Sequence, residues 1–349
     1  MLILHTADLH LTSKDPSRLK ILEWIINKAN EKGVHLLIIA GDLFESDTDS
    51  TILRTEVRNV LEKSRAKIFL LPGNHDAESY GPNYDYGQNV KQLINKPFEQ
   101  LTFNNINIVA IPYQNTKFSE CIMDLSGSID ILITHGTLYD LSILPILSKE
   151  DTKYMPIHPV EIENLARCVL LGHIHSTYID LTYKKTKAIY SGAPIALSTK
   201  CRSPRKVALI DIDEKNCEII PIEIDIAPYW QELDYFVFPG NEEIILNRLK
   251  QDIQNIYNKN IFPDIIINGY IEGSETEFKG EVNKITADLC KNFPNFSLNC
   301  NNIRSWDRLL KNPFVKRFVE KTSGLEDNLR MKILELISPH LNDIVKCRY

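Results

Sequence analysis

A chain of 349 residues, 43% of them hydrophobic and 25% charged, has ample apolar side chain for a buried core and enough length for one large domain and a smaller one. The formal charge of −6 excludes a surface that attracts nucleic acid as a whole, although two bound divalent cations would add about four positive charges at one spot. Seven cysteines (Cys121, Cys168, Cys201, Cys217, Cys290, Cys300, Cys347) contain no C-x-x-C pair, which excludes a zinc ribbon or a disulfide framework and reads as reduced, mostly buried thiols.

The opening residues, MLILHTADLH, put a charged motif where a secretory signal needs an apolar run, and no apolar stretch is long enough to span a membrane. The expectation is a cytoplasmic protein without membrane contact. In chain order, residues 2–4 read as a strand. Asp15-Pro16 supplies a capping side chain and a proline at the first helical position. Leu19, Leu22, Ile26 and Ala29 follow at helical spacing, and Gly33 closes the helix. Apolar runs at 36–40, 68–71, 131–133 and 169–171 have strand length and the unbroken apolarity of strands covered on both faces. Residues 207–212 and 218–224 flank the polar turn 213–216 and read as a hairpin. This alternation is that of stacked βα units.

The texture changes near Ala227-Pro228. Residues 233–238 read as a strand, and Ile245, Leu249, Ile253 and Ile256 as a helical stripe. A strand at 264–271, a helix at 281–291 and a strand at 296–298 complete a small α+β unit. From Lys311 the chain reads as amphipathic helix, with Phe314, Phe318, Ile333, Leu334 and Ile337 as its apolar side. The expected division is 1–226, 227–305 and a helical tail at 306–349.

Five motifs directly follow apolar runs: Asp8-Leu9-His10, Gly41-Asp42, Gly73-Asn74-His75-Asp76, His135-Gly136 and Gly172-His173-Ile174-His175. In sheets of this kind, sites assemble at the carboxyl ends of the strands, so five polar tips converge. The period-two spacing of Asp8 with His10, and of His173 with His175, puts each pair on one side of an extended chain. A lone buried histidine is usually a hydrogen-bonded core residue, and His5, His35, His158 and His340 are read as structural or surface residues. Five motifs in order are harder to dismiss. Carboxylate, amide and imidazole without thiolate suit Mn²⁺, Fe²⁺ or Zn²⁺. Asp8, His10, Asp42, Asn74, His135, His173 and His175 are too many ligands for one ion and suit two, with one carboxylate bridging.

The order D-x-H, GD, GNHD, HG and GHxH resembles the calcineurin-like metallophosphoesterase superfamily. Within it, ILHTADLHL, LIIAGDLFES, LLPGNHD, LITHGTL, LLGHIHS and Tyr190-Ser191-Gly192-Ala193-Pro194 resemble the SbcD-type nuclease subunit of the bacterial SbcC–SbcD double-strand-break repair complex. Thr12 departs from the glycine usual in such nucleases, and the C-terminal part is short. The resemblance implies an α/β fold with a four-layer α/β/β/α core, two packed sheets flanked by helices, and a small α+β cap. It also implies Asp8, His10, Asp42 and His175 at one metal and Asp42, Asn74, His135 and His173 at the other, with Mn²⁺ the expected ion. His75 would serve the phosphate, oriented by Asp76, while the two ions activate water for attack on phosphorus.

The implied activity is that of a DNA 3′→5′ exonuclease and endonuclease. DNA is the implied partner, and the tail would dock on the core, on a second copy of the chain as a homodimer, or on an SbcC-like ATPase. Basic clusters at Lys184, Lys185 and Lys187 and at Lys200, Arg202, Arg205 and Lys206 could neutralise phosphates, or could simply be solvated surface. A phosphatase or phosphodiesterase acting on a small phosphate ester or nucleotide is the alternative. The run Gly41-Asp42-Leu43-Phe44-Glu45-Ser46 lacks the V-D-R-G that protein phosphatases of this superfamily carry. A non-catalytic scaffold is the remote alternative, disfavoured because every ligand position is filled.

Overall fold

The computed structural model describes residues 1–147, 153–256, 260–287, 289, 293, 295–326, 329–330, 332–333 and 336–337. Leu334, His340, Cys290 and Cys347 lie outside the described residues. The chain divides into two compact units, Met1–Tyr229 and Trp230–Tyr349.

The first unit begins β1 (Leu2–Thr6), α1 (Ser17–Lys32), β2 (Leu36–Ala40), α2 (Asp47–Leu61), β3 (Lys67–Leu71) and β4 (Val90–Gln92). It continues with β5 (Glu99–Phe103), β6 (Ile106–Ile111), α3 (Phe118–Cys121), β7 (Ile129–His135), β8 (Thr137–Leu138), β9 (Pro156–Ile157) and α4 (Pro159–Ile162). Last come β10 (Ala166–Gly172), β11 (Ile179–Tyr183), β12 (Thr186–Tyr190), β13 (Lys206–Ile212) and β14 (Cys217–Glu223). Two six-stranded sheets result, in the orders β14-β13-β1-β2-β3-β4 and β11-β12-β10-β7-β6-β5. Strands β1 to β4 run parallel, and β13 and β14 add an antiparallel hairpin. In the second sheet β6, β7, β10 and β12 run parallel between antiparallel edges.

Alternation along each strand sorts side chains between two faces. Ile3, Leu36, Ile38 and Phe69 meet Ile131, Ile133, Leu170 and Ile189 between the sheets. Leu4, Leu37, Ile39 and Leu70 point outward onto Leu22, Ile25 and Ile26 of α1 and Val57 and Leu61 of α2. Leu132, Val169 and Leu171, on the outer face of the second sheet, pack with Phe118, Cys121 and Ile162 of the short helices α3 and α4. The core is therefore the four-layer α/β/β/α arrangement. Each fully buried Leu or Ile contributes about 1.5–3 kcal/mol, so the strands form a stiff base for the loops at their ends. Gly33 ends α1 in the left-handed region at φ 62°, its N–H reaching Ala29 and Asn30.

The second unit is α+β. It carries β15 (Tyr229–Val237), α5 (Glu242–Ile256), β16 (Ile261–Ile271), α6 (Glu275–Thr286), β17 (Ser297–Asn299), β18 (Ile303–Ser305), α7 (Trp306–Leu310) and α8 (Pro313–Thr322). Strand β16 pairs parallel with both β17 and β18. Trp306, Leu309 and Val315 pack with Phe238 and Tyr270, so α7 and α8 share a core with the sheet. Helix α6 starts earlier than the apolar pattern suggests because Ser274 caps it, accepting from Glu277 N–H. Among the described residues no helix is long and apolar enough to cross a membrane.

Candidate metal centre

Strands β1, β2 and β3 lie side by side and in parallel, so their carboxyl ends deliver Asp8 and His10, Asp42, and Asn74 with His75 to one edge. Strands β7 and β10 are also neighbours, and Gly172 is in register with His135. The sheets are bound at this edge. Asp8 accepts His173 N–H on both oxygens, at 2.9 and 3.0 Å, and His135 Nδ1 lies 2.9 Å from Ala40 O.

Turning the chain so sharply takes unusual backbone. Asp8, His10, Asp42 and His173 have φ of 58°, 48°, 50° and 104°. Each such residue costs about 1–3 kcal/mol, a strain the buried strands beneath can hold. Gly41 at φ 94° has no alternative, since a Cβ there would sit 2.1 Å from His135 Nδ1.

Two groups of ligand atoms converge. In the first, ligand atoms of Asp8, His10, Asp42 and His175 all lie within 4.8 Å of one another. Asp8 Oδ1 is 3.6 Å from His175 Nε2, and the Nε2 atoms of His10 and His175 are 3.1 Å apart. In the second, Asn74 Oδ1 lies 3.0 Å from His135 Nε2 and 3.1 Å from His173 Nδ1, and Asp42 Oδ2 is 3.3 Å from His135 Nε2. Asp42 Oδ2 is also 3.7 Å from His10 Nε2, so one oxygen faces both groups. It is buried and has no hydrogen-bond partner, whereas Asp42 Oδ1 accepts His75 N–H at 2.9 Å. Apart from the His135 and His10 rings, 3.3 and 3.7 Å away, nothing meets this buried anionic oxygen, so the residues fit a pair of divalent ions that would take the place of protons on those rings. With Nδ1 of His135 donating to Ala40 O, its Nε2 lone pair faces the group, as a ligand requires.

The electrostatics agree. Burial alone would raise the carboxyls of Asp8 and Asp42, but the adjacent histidines outweigh it and hold both below the usual range. Burial works against protonation of His135, yet Asp42 lifts it to about 9. Burial and the positive His135 push His173 down to about 4.

His75, expected to serve the phosphate, and Asp76, expected to orient its ring, part company. His75 is exposed and lines a cleft of about 650 Å³ with His10, Arg18, Glu45 and His175; its Nδ1 lies 3.1 Å from Glu45 O. Asp76 is fully buried, and its carboxylate accepts Gly73 N–H, Phe44 N–H and the Tyr80 hydroxyl. It therefore braces the turn after β3, and the ring of His75 is oriented by a backbone carbonyl. Burial, then the charge of Asp42, pushes Asp76 up to about 7.

Among the basic residues, Arg205 departs from the expected phosphate contact. Arg205 is 1% exposed and donates to the carbonyls of Ala193, Ser176 and His175 at 2.8, 2.9 and 2.7 Å. It is a strut under the His175 loop, out of reach of DNA. Lys184 pairs with Glu163 at 2.7 Å, Lys187 donates to Cys217 O, and Lys206 lies over the Tyr178 ring. Lys185 is exposed; Lys200 and Arg202 are exposed and line a groove of about 470 Å³ with Ser176, Thr177 and Ser203, which follow His175 or face it in the fold.

Glu45 went unnoticed in the sequence. Its Oε2 lies 3.3 Å from His10 Nδ1 and 3.1 Å from Arg18, whose guanidinium also donates to His10 O. The His10 ring beside it, then Arg18, brings its carboxyl down to about 2. Thr12 has a use as well: its hydroxyl donates to Asp49, which also accepts from Ser13 N–H and Ser46, tying the His10 loop to the start of α2. The spacing Ser46-x-x-Asp49 was the available signal for that cap.

The model of the calcineurin-like phosphoesterase family matches residues 1–190, more than half of the chain and all of the metal-site positions. The chain belongs to the calcineurin-like phosphoesterases. Among solved structures, it is similar to an archaeal phosphodiesterase at 17% identity, covering 64% of this chain and 100% of that one with a TM-score of 0.35. It is also similar to a dimetal phosphatase from Danio rerio, at 10% identity, 63% and 95% coverage and a TM-score of 0.43. A yellow lupin purple acid phosphatase matches at 9% identity, 66% and 52% coverage and a TM-score of 0.43.

Proposed function

We propose that this phosphoesterase cleaves phosphodiesters on two divalent ions held by Asp8, His10, Asp42 and His175 and by Asp42, Asn74, His135 and His173. The observation that carries the reading is the bare Oδ2 of Asp42, shared by both ligand groups. When bound, the ions would neutralise the phosphate and lower the pKa of the attacking water. His75, exposed in the cleft with Nδ1 fixed by Glu45 O, holds Nε2 to stabilise charge or protonate the leaving oxygen. Glu45 favours a diester over a monoester. Its anionic carboxylate lines the cleft and repels a dianion more than a monoanion.

Within this class we propose DNA as the substrate and Mn²⁺ as the ion, in a 3′→5′ exonuclease and endonuclease of the SbcD type. That finer reading rests on the segments ILHTADLHL, LIIAGDLFES and LLGHIHS, and on Lys200 and Arg202 beside Ser176 and Thr177. Docking of an SbcC-like ATPase on the C-terminal helices, where Phe314 is 64% exposed, belongs to the same proposal.

The test compares Mn²⁺-dependent hydrolysis of linear DNA, a chromogenic phosphodiester and a chromogenic phosphomonoester on one preparation. Diester and DNA cleavage well above monoester cleavage is expected. Preference for the monoester overturns the diester reading, and diester cleavage without DNA cleavage overturns only the nuclease.

A further inference from the structure

We infer that Tyr113, just beyond β6, is a stacking surface for a nucleobase, and that the groove it lines takes the nucleoside attached to the reacting phosphate. The inference rests on the phosphoester reading of the metal centre and names a group that its substrate carries. Strand β6 is the parallel neighbour of β7, so its carboxyl end opens at the same edge as His135. There Tyr113 N–H donates to Pro72 O at 3.2 Å, which fixes the residue to the turn that carries Asn74 and His75. The Tyr113 hydroxyl donates to Asn115 Oδ1 at 2.9 Å, and Gln114 Nε2 donates to Pro97 O at 2.8 Å, so the ring and its loop are both held.

Tyr154 stands between Tyr113 and the metal centre. Its ring meets that of His173 edge to face, at 5.2 Å between centroids, and that of Tyr113 at 6.0 Å with the planes 59° apart. Both separations are those of aromatic pairs. The carbonyl of Tyr154 accepts Thr137 N–H at 3.2 Å, and a Cβ on Gly136 would lie 2.5 Å from Met155 O. The segment is therefore seated on the strand end that carries His135. Three rings run in a row from a metal ligand outward, and the last of them, half-buried Tyr113, lines a groove of about 440 Å³ with exposed Asn115 and Lys117.

The chemistry of the lining selects the occupant. The volume is that of a small-ligand site. An aromatic ring beside a phosphate centre suits a flat group joined to that phosphate, and every base has a π-face to lay on it. The amide of Asn115 and the ammonium of Lys117 suit the polar edge of a base and a neighbouring phosphate. Glu120 also lines the groove, where it accepts the Thr116 hydroxyl; its charge disfavours a bare phosphate there in place of the base.

The experiment measures binding to the full chain with Mn²⁺ by titration calorimetry, so it reads the groove whether or not a diester is cleaved. The probes are deoxyadenosine 5′- and 3′-monophosphate, each set against the 1,2-dideoxyribose phosphate of the same linkage, which has no base. The expected result is that at least one nucleotide binds roughly tenfold more tightly than its base-free counterpart. This comparison uses the natural chain and needs no variant to fold. Tyr113→Leu should remove the advantage, and Tyr113→Phe, which keeps the ring without the hydroxyl, should retain it. Equal affinity for both nucleotides and their base-free counterparts overturns the inference, as does an advantage that survives in Tyr113→Leu. A chain that shows the advantage, loses it in Tyr113→Leu and yet cleaves no phosphodiester fails the proposed function alone and keeps the nucleoside in this groove.

Discussion

The carboxylate of Asp8, at the end of β1, accepts the backbone N–H of His173, beyond the end of β10, on both of its oxygens. One side chain thus joins the two sheets and serves the metal centre. Asp8→Asn keeps an acceptor for the N–H but loses the charge, whereas Asp8→Ala leaves that buried N–H bare, at about 1–3 kcal/mol. Both variants should bind Mn²⁺ poorly by titration calorimetry. Urea unfolding in chelator should show Asp8→Ala clearly less stable than Asp8→Asn, and equal stabilities would mean that the link between sheets carries no weight.

Asp42 and His75 separate binding from turnover. His75→Leu should lower kcat roughly 10²–10⁴-fold with metal content nearly intact, because its ring serves the phosphate. Asp42→Ala should lose both, since Oδ2 belongs to each ligand group. Elemental analysis beside a rate assay decides this. Comparable metal loss in the two variants would sink the role given to His75.

Glu45 sets the orientation of His10 through Nδ1. Glu45→Gln should weaken Mn²⁺ binding about 10–100-fold without unfolding the chain, the usual size for removing the partner of a ligand histidine. A variant with unchanged metal affinity but faster monoester hydrolysis would leave the carboxylate only its repulsive part.

Protons compete with metal at His135. In the metal-free chain its pKa of about 9 lies above the ordinary 6.5, burial being outweighed by Asp42. Its contribution to stability is therefore present below pH ~6.5 and lost as pH rises through about 9. Metal must displace that proton, so apparent Mn²⁺ affinity should climb about tenfold per pH unit between pH 7 and 9. Calorimetry in buffers of different ionisation enthalpy reads the proton released; no release at pH 7.5 contradicts the assignment.

Arg205 tests strut against DNA contact. Arg205→Met strips three carbonyls of a charged donor and should cost about 3 kcal/mol of stability. A phosphate contact would instead lower the salt dependence of DNA binding by about one in log–log slope. An unfolding curve and a salt titration on the same variant tell the two apart.

The metal-site positions were legible because a parallel strand buried on both faces is unbroken apolar sequence, so the first polar residue after it marks the edge where sites form. Leu36–Ala40 is buried at every position, and Asp42 follows at once. The edge strands were less legible. Glu99–Phe103 and Ile179–Tyr183 alternate partly buried or buried with exposed residues and lack that signal. What the sequence indicated by itself was the candidate ligand residues, their placement at strand ends and the layered core, since those follow from local periodicity and side-chain chemistry. Only the tertiary structure decided that Asp42 Oδ2 faces both groups, that Glu45 meets His10 and that Arg205 turns inward from a charged stretch. Those outcomes depend on distances between residues far apart in the chain, set by how the strands pair and by the need of buried polar atoms for partners.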